Sequence, residues 1–293
     1  MKLDFKYIKN EILSPGNIFW KKNNGTDVLI SKKGDVLNLG LIQKLINADS
    51  DLVLEDSIDL AFHDSMFSLY VKYSEELFMR DKIKWREEII ESFRVEFVQG
   101  QKSQFELNRL AWKFFSQFNN SDAASFIDKD KELFVRNLSI ASSYAFCAFL
   151  LGYYETSFLS NLFTSTLKNL MDLGGSTQVL SLKETIEYLR MQESFNSEDC
   201  KSVEEIASPA LLKSTMLFER YDGSGMRQIN SREMNDLEII FVAINRSFGF
   251  EREDTVNILS EIQNGKIVCV DRILKMLQKI LYKEPMTVIT VTG

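Results

Sequence analysis

The residues best suited to chemistry lie in one short run at positions 217–226, LFERYDGSGM. Glu219 and Asp222 offer two carboxylates three positions apart, and Gly223 and Gly225 flank Ser224 with the backbone freedom of a tight turn. Carboxylates held this way serve general acid–base chemistry or bind cations. The two positions before the glutamate, where a metal enzyme would place imidazoles, are Leu217 and Phe218. The chain has one histidine, His63, so any mechanism needing two imidazoles is excluded by composition. For the same reason no Ser–His or Cys–His pairing can be built except on His63. No P-loop and no G-x-G-x-x-G is present. Cys147, Cys200 and Cys269 lack both the spacing of a zinc site and the number of a disulfide framework, and suit a reducing, cytoplasmic setting.

The elements that must position such a site are mostly helical. In 293 residues, three prolines and 13 glycines predict short loops, and 45% hydrophobic with 26% charged residues fits one large or two modest domains. A net charge of −7 argues against nucleic acid as a partner. The opening MKLDFKYIKNEILSPG breaks its apolar positions with charges, so no signal-peptide core fits there. The longest uncharged run, 138–154, falls short of the roughly 20 residues of a membrane span and reads as a buried core helix.

Three regions follow along the chain. Residues 1–56 predict a small α/β domain. Strands are expected over 18–20 and 28–31, turns at Asn24-Gly25 and Lys33-Gly34, a helix around Leu41 to Ile46, and a closing strand at LVLED. Residues 57–120 form a helical connector with a break at Gly100, its charges on a solvated face and its aromatics on a packing face. His63-Asp64 lies in it, and a lone histidine there reads as a surface or packing residue. The polar stretch NNSDAASFIDKD marks a boundary. Residues 121–293 predict an all-α bundle, with helices over 131–152, 157–173, 182–192, 203–220, 233–248, 252–263 and 270–282. The fold class expected is therefore α+β overall and mostly α.

In this context FERYDGSGM resembles the signature of the HD-GYP family, bacterial phosphodiesterases of cyclic di-GMP, whose motif reads HHExxDGxGYP. Glu219, Asp222, Gly223 and Gly225 match it. LEIIFVAINRSF resembles the family helix that follows, and LKNLMDLGG falls where the family has its HD pair. The resemblance covers about 121–280, and the N-terminal region is similar to the small domain that often precedes these enzymes. It implies an HD-type helical bundle. It also implies that Asn137 stands in place of the first metal-binding histidine, and Met171 in place of the histidine of HD. Asp172 keeps the aspartate of that pair, while Gly175 replaces the lysine after it. Leu217 and Phe218 replace the two histidines of HHE, Met226 and Arg227 the tyrosine and proline of GYP, and Asn245 a later metal-binding aspartate.

Family catalysis uses two or three metal ions to generate hydroxide and stabilise phosphoryl transfer. Leucine, phenylalanine and methionine offer at best a weak thioether, and their apolar side chains should fill the cavity. The reading that follows is a catalytically inactive HD-GYP-like protein of cyclic di-GMP signalling. It would hold no metal or cofactor and act through a protein partner, with the helical connector as a route to a homodimer. Asp172 would then bond backbone amides near a helix end, and Glu219 and Asp222 would hold the glycine turn. The alternative is a receptor that binds cyclic di-GMP without cutting it, with Arg220, Arg227 and Arg232 as phosphate contacts. A third reading is a residual phosphodiesterase working on Asp172, Glu219 and Asp222 alone with a hard cation.

Overall fold

The structure, a computed structural model, describes residues 2–3, 8–9, 11–100, 102–177, 221–223, 230–249, 253–263 and 271–281. These residues are mostly helical, with one small antiparallel sheet, and the chain divides into two compact units.

The first unit comprises Met1–Ser92 and Lys102–Lys131. Strand β1 (Asn17–Lys21) lies between β2 (Asp27–Ser31) and β3 (Asp51–Glu55), antiparallel to both. Strand β3 alternates buried Leu52 and Leu54 with exposed ends, the period-two pattern of a sheet with one face on a core. Helix α1 (Leu39–Asn47) adds Ile42 to that core, which also holds Leu3, Ile8, Ile18 and Leu37. The expected turns at Gly25 and Gly34 are present, with φ of +80° and +83°, a region that glycine enters without steric cost.

Helix α2 (Leu60–Glu75) starts at Asp59, whose side chain accepts from the Phe62 N–H. It buries His63, Met66, Tyr70 and Tyr73 at helical spacing. Helix α3 (Met79–Phe93) follows after a break that no glycine or proline announces. Glu76 leaves the helix in an extended conformation, and its own carboxylate accepts from the Phe78 N–H at 3.0 Å. A π-helical turn over Arg94–Gln99 leads to the expected break at Gly100. Helix α4 (Gln104–Phe115) opens on a capping box of Ser103 and Glu106 and packs on α2, with Phe114 stacked on Tyr70 at 4.3 Å. The polar stretch NNSDAASFIDKD forms helix α5 (Asn120–Lys129), just before the chain passes from one unit to the other at Lys131. Asn119 and Asp122 cap each other's amides at its start, and Ala123 and Phe126 are buried on its inner face.

The second unit comprises Phe93–Gln101 and Glu132–Gly293. Helix α6 (Lys131–Leu151) is buried at every position from 137 to 149. It is long and apolar enough to cross a membrane by composition, but its surface is covered by protein, as the sequence leads one to expect of a core helix. Cys147 sits in it fully buried, and burial pushes its thiol well above the ordinary range. Helix α7 (Thr156–Thr177) buries Leu159, Phe163, Thr166, Leu170 and Met171. Its C-terminal part corrects the sequence reading, since the helix does not end near Met171 but continues through Gly174 and Gly175 to Thr177. Helix α8 (Asp236–Phe248) is capped by Asn235 and Glu238, and it packs with α9 (Thr255–Gln263) and α10 (Asp271–Leu281). The helices expected over 182–192 and 203–220 lie outside the described residues.

Candidate functional site

Asn137 and Met171 are brought together. Asn137 is fully buried on α6 and Met171 is 1% exposed on α7. The Asn137 Nδ2 donates to the Met171 sulfur at 3.4 Å, across 34 positions of sequence. A thioether is a weak acceptor, and Asn137 Oδ1 has no partner among the described residues, so this contact closes the interior without building a strong polar site. Ser142 Oγ on α6 and Thr166 Oγ1 on α7 are likewise buried without a partner among the described residues. Asp172, next to Met171, is exposed and helical, not at a helix end where it could cap amides. Gly175 is inside the same helix.

Asn245 is buried on α8, 6% exposed. Tyr144 of α6 meets Phe241 of α8 edge-to-face at 5.1 Å. Asn137 lies two turns before Tyr144, and Asn245 one turn after Phe241, each on the face that carries this contact. The helix ends just beyond. Gly249 N–H donates to the Asn245 carbonyl, and a side chain at Gly249 would run into that oxygen. Arg246, beside Asn245, is committed to Glu253 and Glu261, and its Nη1 donates to Glu261 at 2.9 Å. Burial opposes its charge, but the two carboxylates hold its pKa above the ordinary value.

Of the signature itself, the described part is the start of the turn. Gly223 has φ of +82°, which bears out the glycine reading, and exposed Asp222 pairs with Asn230 through an antiparallel bridge. Tyr221 is buried, and its hydroxyl donates to the Ile239 carbonyl of α8 at 2.8 Å, anchoring the turn to that helix. Arg232 is exposed, and its backbone N–H donates to the Asn230 side chain. Leu217, Phe218, Glu219, Arg220, Gly225 and Arg227 lie outside the described residues.

The first unit holds two features that sequence reasoning missed. The charges of α4, expected on a solvated face, are in part buried. Arg109 is 1% exposed and Glu11 is 6% exposed. Arg109 Nε donates to Glu11 Oε2 at 2.9 Å, its Nη2 stands 2.6 Å from Oε1, and Lys113 Nζ reaches the same oxygen at 2.8 Å. His63, expected at the surface or in packing, is a packing residue with 0% exposure, its Nε2 at 3.9 Å from Glu106 Oε1. Burial lowers its pKa, so the ring is neutral near pH 7. Burial also works against the Glu106 carboxylate, yet His63 and the Ser103 amide and hydroxyl hold its pKa down to about 2. The only early signal was position: 106, 109 and 113 recur at helical spacing on the face that also carries Leu110. Beside them, a half-open cleft of about 370 Å³ is lined by Ile12, Leu37, Leu39, Trp112 and Ile127, with Glu11, Asn38 and Asp128 as polar members. Among the described residues, no three histidine, cysteine, aspartate or glutamate side chains cluster to hold a metal ion.

No protein-family model matches the chain. No curated protein matches it. Among solved structures, the chain is similar to Bd1817, a HDG"Y"P protein from Bdellovibrio bacteriovorus, at 14% identity and a TM-score of 0.38, over 92% of this chain and 95% of that one.

Proposed function

We propose that the chain is a catalytically inactive, HD-GYP-like protein of cyclic di-GMP signalling that works through contacts with a protein partner. The observation that carries the reading is the Asn137–Met171 contact. The resemblance aligns these two positions, far apart in sequence, with two metal ligands of one centre, and ligands of one centre must be neighbours. They are neighbours here, and neither is a ligand that iron or manganese would favour. An amide and a thioether in a buried interior leave phosphoryl transfer without the metal-bound hydroxide it needs. Exposed, helical Asp172 is poorly placed to make up the loss.

The test is metal analysis of the purified full chain together with a cyclic di-GMP hydrolysis assay in added iron or manganese. The expected result is substoichiometric metal and no turnover. Stoichiometric metal with hydrolysis would overturn the proposal. Calorimetric titration with cyclic di-GMP separates the receptor alternative, which requires saturable heat without hydrolysis.

A further inference from the structure

Helix α3 carries an unusual order of charge. Arg80, Lys82, Lys84 and Arg86 occupy its first half, and Glu87, Glu88 and Glu91 its second. Its first turn has one acidic residue, Asp81, and its last turn has no basic residue. The helix dipole favours the opposite order. At about 100° per residue, Arg80, Lys84, Glu87 and Glu91 fall within about 60° of one another, on a side where all four are exposed. Roughly opposite lie Ile89 and Phe93, buried at 0% and 3%. Along the exposed side, Arg80 and Lys84 are like charges at i, i+4, mildly repulsive within one helix, while Lys84 and Glu87 at i, i+3 attract.

That side is also apolar at one margin. Met79 is 50% exposed and Ile83 is 48% exposed on α3, while Leu77 and Phe78, just before it, are 92% and 72% exposed. Consecutive large apolar side chains this open to water are a mark of an interaction surface.

We propose that α3 is the contact through which two copies of this chain pair, antiparallel and about a two-fold axis. An axis crossing the helix between Trp85 and Arg86 sets Lys84 opposite Glu87 of the second copy and Arg80 opposite Glu91. The two-fold repeats both pairs, so four attractive contacts form across the axis, and the two helix dipoles oppose. Met79 and Ile83 of each copy line the same interface, covering apolar surface that the single chain leaves in water. A second copy suits this surface because its own sequence supplies the complement: basic half meets acidic half only when the helices run in opposite directions.

The experiment is sedimentation equilibrium on the full chain, with circular dichroism to verify folding of each variant. The wild type should sediment as a dimer. Lys84→Glu makes the central face all acidic and Glu87→Lys makes it all basic. Each alone should weaken self-association at least about tenfold, because like charges then oppose across the axis. An equimolar mixture of the two variants should recover the dimer, and so should the chain carrying both changes. Wild-type protein that stays monomeric at every concentration overturns the proposal, as does a dimer indifferent to these charges. A monomer that instead binds phosphatidylserine vesicles, and loses that binding on Phe78→Ser, overturns it in favour of a membrane contact. None of these outcomes touches the metal and hydrolysis tests above.

Discussion

His63 and Glu106 set how the first unit responds to acid. The Glu106 carboxylate titrates near 2 in the fold against 4.5 ordinarily, so its stabilisation is complete above pH 4.5 and is lost as the pH falls through about 2. A shift of that size corresponds to about 3 kcal/mol. His63 is lowered from 6.5, so below that pH the unfolded chain takes up a proton that the fold refuses. Both groups make the unit weaker on acidification, and His63 acts first. The melting temperature should therefore fall between about pH 7 and 5, and His63→Gln should flatten that slope, as thermal melts followed by circular dichroism would read. The Glu11–Arg109–Lys113 group predicts a different loss. Arg109→Met leaves Glu11 buried with Lys113 as its remaining cation. The expected cost is roughly 3 kcal/mol in urea unfolding, and less than the sum of single losses when Glu11→Leu is added.

At the scale of elements, the two capping boxes are equivalent devices in different units. Ser103→Ala at α4 and Asn235→Ala at α8 should each cost about 1 kcal/mol, measured by denaturant midpoints. Gly16→Ala should cost more, because the new methyl would stand 2.6 Å from the Glu55 carbonyl where the chain enters β1, and that backbone has a strand to hold. These elements also show what was legible. The three strands, their glycine turns and the buried run of α6 carry periodic or steric signals that survive in a single sequence. The break at Glu76 does not, since it is made by a glutamate folding back on the Phe78 amide. Nor does the continuation of α7 through Gly174 and Gly175. Two glycines there cost helix propensity, but the buried side of α7 from Leu159 to Met171 anchors the turn that leads into them.

At the scale of the molecule, the candidate site was legible only through family resemblance. Nothing in the periodicity around Asn137 or Met171 says that they touch, because the contact is tertiary and both residues also read as ordinary helix interior. Their neutrality has a bulk consequence. Manganese or iron added to the intact chain should leave its melting temperature unchanged, and a chelator should leave it unchanged too. A ligand that bound the fold at a hundred times its dissociation constant would instead add about 2.7 kcal/mol of stability.

Fully buried Cys147 gives the second unit a stopwatch. An alkylating reagent reacts with a thiolate it can reach, and here it can do neither until α6 is uncovered. In a chain with Cys200→Ser and Cys269→Ser, the rate at which Cys147 takes up label therefore counts how often the middle of this unit opens to water. Surface fraying would not register on that clock.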